Sequence, residues 1–526
     1  MWNVYCNRNY NEWSSIMEEN KEITVKKFDG RLLLVTTLLI SICSIIYELI
    51  ISSISSYLQG DSITQFSITI GLYMSAMGIG SYLSKYIKED LFNKFIFIEM
   101  SVGILGGFSS LILFLSNIYT SIYDLIMYLL IILIGIFVGL EIPILTRIIE
   151  DNESNVRKNL ANIFTFDYIG GLIGSIVFPL ILFPKLGFIT TTFLVGSINI
   201  AVALIIILKY KPYIKKYKTI KILSIVCLLI ILCFLFTGSN ITSSIESGLY
   251  RDDVILSEQT PYQKIVMTKH KDDIRLFLDG NLQFSTSDEY RYHEALVHIP
   301  ISYANSHQKV LILGGGDGLA AREVLKYDDV EKIVLVDIDG EMTKLCSTNE
   351  QIKKLNEGSL SNEKVKVINE DAYLFTQENQ EKFDVIIIDF PDPNNEALNK
   401  LYTNVFYNYI RSNLTPNGVI VCQSTSPYYA KNSFWCINKT IKTQFENVLP
   451  YHLQVPSFGE WGFNLAFNGN NVRKNISVET KYLTEENIAT MFNFGKDEII
   501  DLNQVEENNM FKPTLIKYYN EEVQNW

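Results

Sequence analysis

The pattern of hydrophobic positions divides the chain into two unlike parts. Long apolar runs follow one another up to about residue 237, and beyond that point short apolar runs alternate with polar stretches. Seven of the long runs are near the ~20 residues that an α-helix needs to cross a bilayer. The pattern therefore predicts an all-α transmembrane bundle of about seven spans within residues 32–237, made of residues 32–58, 62–83, 95–117, 122–146, 162–183, 187–208 and 220–237.

The charges of the loops predict an orientation for this bundle. Lysines and arginines are concentrated before the first segment and around residues 85–94, 147–158 and 209–218, whereas the alternate loops carry almost none apart from Lys185. Because basic loops stay in the cytoplasm, we expect the polar tail of residues 1–31 to be cytoplasmic. Seven full spans would place the C-terminal half outside, and one re-entrant segment would keep it inside. The loop charges leave the side of the C-terminal half open.

Three acidic residues, Glu48, Glu141 and Asp167, lie inside or at the edge of the apolar runs. An ionisable residue in a membrane is costly and is by default a functional hypothesis. For Glu48, a hydrogen bond between helices and a bound cation explain the position equally well. Glu141 lies two residues before Pro143 and near a loop, where an interfacial position is an equal alternative.

The second part of the chain has the pattern of an α/β protein. After a predicted polar linker of residues 238–253, residues 254–300 form a small β-rich unit with antiparallel hairpins, followed by a helix capped by Ser287 or Asp288. Residues 301–470 alternate strands with helices, which predicts a Rossmann-like, doubly wound and mainly parallel sheet. Residues 471–526 are a polar extension to which we assign no chemistry. The strand candidates are residues 310–313, 333–337, 365–369, 384–389, 418–423 and 462–467.

Glycines and acids follow the ends of these strands, where a doubly wound sheet binds its ligands. The glycines after residue 313 allow a close approach of the backbone to a ligand, and the helix that follows them offers free N–H groups. An acid about twenty residues past such a turn typically accepts hydrogen bonds from ribose hydroxyls. The acids as a group predict a nucleoside and a second, cationic reactant: Asp317, Asp337, Asp339, Glu370, Asp371, Asp389 and Asp392.

Composition narrows the ligand classes further. The formal net charge of −12 argues against nucleic acid as a partner and suits a cationic substrate. The seven cysteines include no Cys-X-X-Cys pair and no metal-ligand spacing, so we expect neither disulfides nor a structural zinc ion.

Several blocks of the second part resemble the spermidine synthase, or polyamine aminopropyltransferase, family. The long apolar first part is similar to the membrane-bound branch of that family. Plain methyltransferases share the nucleoside-binding fold, which is of the class I methyltransferase type. They lack the blocks found here at residues 260–267 and 276–300. The matching blocks are TPYQKIVM at 260–267, LFLDGNLQFSTSDEYRYHEALVHIP at 276–300, GGGDGLAAREVLKY at 314–327, LVDID at 335–339, EDA at 370–372 and IIDFPDP at 387–393.

The resemblance implies an activity and a division of labour. It implies transfer of the aminopropyl group of decarboxylated S-adenosylmethionine to putrescine or a related diamine. Residues 254–300 would bind substrate and residues 301–470 would carry out catalysis. The resemblance also implies that no metal is needed and that the chain is a possible homo-oligomer. Asp389 matches the proton acceptor of the family. The implied nucleoside-binding residues are Gln263, Gly314, Gly316, Asp337, Asp371 and Ala372, and the implied residues of the amine pocket are Tyr292, His293, Asp317 and Asp392.

The chain departs from the family pattern in three places. The acid at the ribose position, often Glu in the family, is here Asp337. The catalytic loop continues as PDPNNEAL instead of Gly-Pro, and a late tyrosine that helps to bind the amine has no clear counterpart in VPSFGEWG. Phe458, Glu460 and Trp461 are candidates to replace that tyrosine, although Glu460 is equally well explained as a solvated loop acid. His298 is expected to be structural. A polyamine transporter or sensor, and a methyltransferase for a small amine, are the alternative functions.

Overall fold

The structure is a computed structural model that describes residues 30–59, 62–152, 156–250 and 252–523. Nearly all of the predicted cytoplasmic tail lies outside these residues. The described part consists of a helical bundle, a small antiparallel sheet and a larger mixed sheet.

Seven long helices form the bundle, and each predicted apolar segment overlaps one of them. By length and composition, six stretches of the described chain are apolar enough to cross a membrane. One of these, Arg157–Lys209, is 53 residues long and contains two long helices joined by a π-helical turn, Phe178–Leu182. Gly187, with a φ of +67°, kinks the second of these helices near its start. The helices are α1 (Arg31–Gln59), α2 (Ser62–Leu83), α3 (Leu91–Tyr119), α4 (Tyr123–Glu150), α5 (Val156–Val177), α6 (Phe183–Lys209) and α7 (Tyr217–Tyr250).

Glycines allow α2 and α4 to cross at close range. A Cβ atom on Gly80 would lie 2.1 Å from the Ile136 carbonyl oxygen, and one on Gly139 would lie 2.1 Å from the Met77 carbonyl oxygen. Any side chain at these two positions would push the helices apart, so the small residues determine the packing distance.

The acidic residues of the bundle differ in their surroundings. Glu48 and Glu141 are buried among the helices, and the Asp167 carbonyl oxygen accepts a hydrogen bond from the Ser41 hydroxyl. Sequence reasoning missed Glu99, which is fully buried and whose Oε2 accepts a hydrogen bond from the Asn199 amide at 3.1 Å. The Glu141 side chain is inside the bundle and does not extend along its outer surface.

Residues 238–250 do not form the predicted separate linker. They continue α7, which is helical from Tyr217 to Tyr250. The polar residues Ser239, Asn240, Thr242 and Ser243 suggested a break, but none of them is a proline, and Ser and Thr residues are only mildly unfavourable inside a helix.

The small β-rich unit is a four-stranded antiparallel sheet in the simple order β1-β2-β3-β4. Its hairpins confirm the pattern predicted for residues 254–285. Asp279 and Gly280 form the β3–β4 turn, both with positive φ, as an Asp-Gly hairpin turn requires. The strands are β1 (Asp253–Gln259), β2 (Lys264–His270), β3 (Asp273–Leu278) and β4 (Asn281–Ser285).

The larger sheet has seven strands in the order β10-β11-β9-β8-β5-β6-β7. Five strands are parallel, and β10 and β11 pair antiparallel, so the sheet is mixed. The prediction missed β10, whose polar residues Asn447, His452 and Gln454 interrupt the apolar pattern. The strands are β5 (Lys309–Gly314), β6 (Lys332–Val336), β7 (Val365–Ile368), β8 (Phe383–Asp389), β9 (Leu414–Gln423), β10 (Asn447–Val455) and β11 (Gly459–Phe467).

Helices cover both faces of this sheet, as the continuous apolar character of β5 requires. Val310 and Ile312 belong to one core cluster and Leu311 and Leu313 to another, on opposite faces. The helices are α8 (Glu289–Tyr303), α9 (Leu319–Val324), α10 (Gly340–Thr348), α11 (Glu350–Leu355), α12 (Ala372–Glu378), α13 (Glu396–Asn399), α14 (Asn404–Ser412), α15 (Lys431–Lys442), α16 (Glu485–Met491) and α17 (Thr514–Val523).

Candidate active site

A pocket of about 610 Å³ lies at the carboxyl ends of the parallel strands. The residues that the family resemblance implies for nucleoside binding and for the amine pocket all line it, whereas Asp339 and Glu370 are not among the lining residues. The implied residues that line it are Gln263, Tyr292, His293, Gly314, Gly316, Asp317, Asp337, Asp371, Ala372, Asp389 and Asp392. The parallel arrangement explains this, because strand ends that are far apart in sequence meet at one edge of the sheet.

The glycine turn after β5 gives the pocket its floor. Gly314 has a φ of +82°, and a Cβ atom there would lie 2.1 Å from the Asp389 carbonyl oxygen. A Cβ atom on Gly316 would lie 2.6 Å from the Asp337 carboxylate. Glycine is thus required at both positions, because the turn passes directly against the ends of β6 and β8.

Asp337 is held at the pocket by two backbone groups. Its carboxylate accepts hydrogen bonds from the N–H groups of Gly316 at 3.1 Å and Asp339 at 2.8 Å. Burial raises the pKa of Asp337 to about 6, although these hydrogen bonds oppose the rise. The remaining lone pairs of the carboxylate are available to a hydroxyl donor in the pocket.

Asp339 and Gln263 interact with each other. Asp339 is buried, caps α10, and accepts hydrogen bonds from the Gln263 amide at 2.9 Å and the Thr260 hydroxyl at 2.7 Å. These contacts join the small sheet to the larger one. They orient Gln263 at the pocket edge, so Asp339 is a partner of this residue and does not itself line the pocket.

Asp371 has a capping role as well as a place in the pocket. One carboxylate oxygen accepts the Tyr373 N–H at the start of α12, and the other forms an ion pair with Lys400. Sequence reasoning missed Lys400, which comes from the segment after the catalytic loop. Ala372 lies next to this pair, where its small side chain keeps the pocket wall open.

Asp389 and Tyr292 meet in the middle of the pocket. The Tyr292 hydroxyl, on α8, donates a 2.6 Å hydrogen bond to the Asp389 carboxylate at the end of β8. Burial raises the pKa of Asp389 to about 6; the charge of His293 and the hydroxyl of Tyr292 lower it, and the charge of Asp317 raises it. A carboxylate with this pKa is largely deprotonated at pH 7 and can still accept a proton.

His293 belongs to a buried network of charges. Its Nδ1 lies 2.9 Å from the Glu289 carboxylate, which also accepts two 2.9 Å hydrogen bonds from the Arg322 guanidinium. Burial lowers the pKa of His293, but Glu289, Asp317 and Asp389 together raise it to about 9. The imidazole therefore presents a positive charge to the pocket acids at neutral pH.

His298, by contrast, lies away from the pocket. Its ring nitrogens contact the Glu323 carboxylate at 2.8 Å and the Tyr327 hydroxyl at 3.1 Å. These contacts lie between α8 and α9, where a histidine stabilises helix packing.

Asp317 is nearly enclosed. Its carboxylate accepts the N–H of Leu319, the first residue of the short helix α9, at 2.8 Å. Burial raises the pKa of Asp317, while the positive charge of His293 opposes the rise. A ligand cation in the pocket would compensate the same carboxylate.

Asp392 has partners that sequence reasoning missed. Its carboxylate accepts a 2.9 Å hydrogen bond from the Tyr519 hydroxyl and 3.4 Å contacts from Gln423 and Thr425. Burial raises the pKa of Asp392 to about 6, and these donors oppose the rise. Tyr519 lies in the polar extension to which no chemistry was assigned, and the sequence carries no motif around it that would have found it.

The side chains of the VPSFGEWG segment, residues 455–462, lie in two different places. Phe458 and Trp461 line the pocket. Glu460 does not: its carboxylate forms an ion pair with His452 across the β10–β11 hairpin. The placement of Glu460 beside the amine is therefore wrong, because neighbouring residues of a strand point to opposite faces.

The mouth of the pocket opens toward the helical bundle. A second cavity of about 1140 Å³, here called the vestibule, lies between the two and shares Asp279, Asn281, Asn394 and Tyr519 with the pocket. Its bundle side is lined by aromatic and hydroxyl side chains from the ends of the helices, including Ser53, Tyr57, Phe114, Phe188 and Thr242.

The sheet and its glycine turn define a methyltransferase-like fold. The acid-lined pocket at the strand ends is the site of a transferase. A family model described as the spermine/spermidine synthase domain matches residues 289–479. A crystal structure of spermidine synthase in complex with the transition state analogue AdoDATO aligns with 28% identity over 46% of this chain and 85% of that chain, with a TM-score of 0.43.

Whole-chain relatives give the family. A polyamine aminopropyltransferase of Leptospira interrogans is 44% identical over 496 residues, which cover 93% of this chain and 98% of the relative. One of Oceanobacillus iheyensis is 40% identical over 500 residues, 93% of this chain and 96% of the relative. The chain belongs to the polyamine aminopropyltransferase family, and it is an enzyme that transfers aminopropyl groups.

Proposed function

We propose that this chain transfers the aminopropyl group of decarboxylated S-adenosylmethionine to putrescine or a related diamine, giving spermidine and methylthioadenosine, with Asp389 as the proton acceptor. One observation carries this assignment. The Asp389 carboxylate faces the pocket at the end of β8, hydrogen-bonded to Tyr292, with a pKa of about 6 that suits a base at neutral pH.

The chemistry requires such a base. The ammonium groups of a diamine have pKa values near ~10, so at pH 7 the attacking nitrogen carries a proton and no free lone pair. Asp389 accepts that proton. The lone pair then forms the new C–N bond to the propyl carbon beside sulfur, while the C–S bond breaks and its electron pair returns to sulfur. The leaving group is a neutral thioether, so no acid is needed to protonate it.

The nucleoside would occupy the side of the pocket near β6 and β7. Asp337 has lone pairs left for the ribose hydroxyls, and the glycine turn leaves room for the sugar to approach the backbone. Asp371 and Ala372 would border the adenine, with Gln263 at the edge of the small sheet.

The diamine would lie between Asp389 and Asp392. Asp392 would hold the distal ammonium group, oriented by Tyr519, while Asp317 and His293 border the aminopropyl chain. Phe458 and Trp461 give the methylene groups an apolar wall. Holding both reactants in line can lower the activation free energy by several kcal/mol, up to roughly 7–11.

The helical bundle would span the cell membrane, with the N-terminus in the cytoplasm. The outer surface of the bundle supports this, because large apolar side chains are exposed there in a way that water disfavours. Leu172 is 61% exposed, Leu180 70% and Leu229 61%. In this division residues 32–237 form the membrane domain and residues 301–470 the catalytic domain.

The test is an assay with the detergent-purified full chain. Incubation with putrescine and decarboxylated S-adenosylmethionine should release methylthioadenosine. Asp389→Asn should lower turnover by about 10²–10⁴-fold while changing nucleoside affinity little, because general-base catalysis contributes that factor. Asp272→Asn, at an exposed turn, is the matched control.

Three results would contradict the proposal. Ligand binding without release would favour a sensor or transporter. Formation of S-adenosylhomocysteine from S-adenosylmethionine and an amine would favour a methyltransferase. Full turnover of Asp389→Asn would remove this residue from the role of the base.

A further inference from the structure

We infer that aminopropyl transfer by this chain takes place outside the cytoplasm, on the membrane face opposite the basic loops of the bundle. The inference rests on the proposed function and on the proposed membrane insertion. It answers the question that the loop charges left open, and the contacts at the two ends of the bundle carry it.

The three basic loops come together at one end of the bundle. The Arg147 guanidinium donates hydrogen bonds to the carbonyl oxygens of Ile87 at 2.7 Å and Ser84 at 2.8 Å. Lys215 forms a 2.7 Å ion pair with Asp90. The loop after α2, the end of α4 and the loop after α6 are thus neighbours. Together with the adjoining ends of α3, α5, α6 and α7 they carry Lys85, Lys88, Lys94, Arg147, Arg157, Lys158, Lys209, Lys211, Lys215, Lys216 and Lys218.

The catalytic part, that is, the two sheets and the helices packed on them, lies at the other end of the bundle. The Tyr250 ring, at the end of α7, packs on Phe277 of the small sheet with centroids 4.8 Å apart, and its hydroxyl lies 3.4 Å from that of Tyr57 near the end of α1. Tyr57 in turn packs against Phe114 of α3, at 6.5 Å between centroids. Helix α3 begins beside the basic loops and ends beside the catalytic part, so it connects the two ends.

The helices are long enough to place the two ends of the bundle on opposite sides of a membrane. The 29 residues of α3 measure about 44 Å at 1.5 Å per residue, more than the ~30 Å of a hydrocarbon core. The chain does not fold back half-way between α5 and α6: Phe183 to Thr190, the first residues of α6, line the vestibule at the catalytic end. Among the described residues each of the seven helices runs from one end to the other, and an odd number of crossings places the two chain ends on opposite sides.

The charge distribution then selects the direction. Lys185 is the one lysine or arginine among the described loop residues at the catalytic end of the bundle, namely residues 119–123 and 178–188. Translocating the opposite loops would move many cations across the bilayer against the membrane potential, at about 2.3 kcal/mol per charge for each 100 mV. The basic end therefore stays in the cytoplasm, and the vestibule, the pocket mouth and Asp389 are outside.

This placement assigns the reaction a position in a sequence of steps. Any nucleoside donor present in the cytoplasm would reach the pocket only through a transport reaction, and the polyamine and thioether products would be released on the outer side. The vestibule lies where the catalytic part meets the outer end of the bundle, and it is the space through which they would exchange.

Cysteine labelling in intact cells tests the sidedness. Asp272 and Lys88 are exposed, the first in the catalytic part and the second in a basic loop. With a membrane-impermeant maleimide, Asp272→Cys should be labelled in intact cells above the background of the unsubstituted chain, and Lys88→Cys only after lysis. The reverse pattern, equal labelling of both variants in intact cells, or labelling of neither would overturn the inference.

A second measurement separates this inference from the proposed function. Both cysteine variants are assayed in detergent, where sidedness has no effect and both should release methylthioadenosine at the rate of the unsubstituted chain. Release together with inverted labelling would overturn only the sidedness. No release from the unsubstituted chain would overturn the proposed function.

Discussion

The Tyr292 hydroxyl donates a 2.6 Å hydrogen bond to the Asp389 carboxylate, and both groups face the same pocket. The two residues are 97 positions apart and come from different elements, α8 and β8. The hydrogen bond favours the charged form of Asp389, while burial favours the neutral form, and the balance leaves the pKa at about 6.

Replacement of Tyr292 should shift the pH dependence of the reaction. As the proposed proton acceptor, Asp389 has to be deprotonated, so kcat/KM should fall as the pH drops through about 6. Tyr292→Phe removes a donor that lowers the pKa of Asp389, so the acid limb should move to higher pH. The measurement is the pH profile of kcat/KM for the diamine. Tyr290→Phe, on the same helix but outside the pocket lining, is the control; an unshifted limb in Tyr292→Phe would contradict the expectation.

The buried pocket acids should cost stability at neutral pH. The pKa of Asp389 is higher in the folded chain, about 6, than in the unfolded chain, about 3.9. The folded state therefore binds more protons between these values, and the free energy of unfolding falls as the pH rises through this window. Asp389→Asn removes the cost of the charge, so it should stabilise the catalytic part by about 1 kcal/mol at pH 7.5, or about 2–4 °C in Tm.

A comparison of two pH values checks the cause. The gain of Asp389→Asn in detergent should shrink at pH 5, where Asp389 in the folded chain is already largely protonated. A variant that is less stable at pH 7.5, or equally stabilised at both pH values, would show that ionisation is not the reason.

Loss of the Tyr519 hydroxyl should weaken amine binding. Tyr519 donates to Asp392 and lowers its pKa, so Tyr519→Phe removes one donor and favours the neutral acid. A hydrogen bond to a charged group contributes about 1.5–3 kcal/mol, and because Gln423 and Thr425 remain, we expect KM for the diamine to rise about 3–10-fold. Steady-state kinetics with varied diamine measures this, with kcat changing much less.

The neighbouring tyrosine provides the control for that experiment. The Tyr518 hydroxyl accepts the Glu506 N–H and does not contact Asp392. Tyr518→Phe should leave KM for the diamine unchanged. An equal rise in both variants would point to a general effect on α17 and against a role of Tyr519 at the amine site.

Glu289→Gln should destabilise the catalytic part strongly. Glu289 is buried between two cations, His293 and Arg322, with contacts of 2.9 Å to each. Removing the charge breaks both contacts; Arg322 keeps its 2.9 Å ion pair with Glu323. Loss of one partner of a buried ion pair costs about 3–5 kcal/mol. Thermal unfolding in detergent should show a drop in Tm of about 6 °C or more. Glu341→Gln, which breaks an exposed pair with Lys344, should cost less than about 1 kcal/mol.

Much of the site could be predicted from the sequence because of the parallel sheet. Asp337 and Asp389 end strands that are recognisable as short apolar runs, and such strand ends meet at one edge of the sheet whatever the loops do. The Asp-Gly turn of the small sheet and the seven apolar segments are similarly local patterns. Each is determined by residues close together in sequence, so a sequence alone reveals it.

Only the tertiary structure decided which distant side chains form hydrogen bonds or ion pairs with these acids. Tyr519 reaches Asp392 from 127 residues away because α17 packs back against α15, where the Ser433 hydroxyl donates to the Glu522 carboxylate. Lys400 reaches Asp371 from the segment after α13. The pairing of β10 with β11 turns Glu460 away from the pocket, and the hydrophobic pattern did not predict β10. The sequence determined the strand ends and their acids, whereas their partners depend on the packing of segments far apart in the chain, which no local pattern encodes.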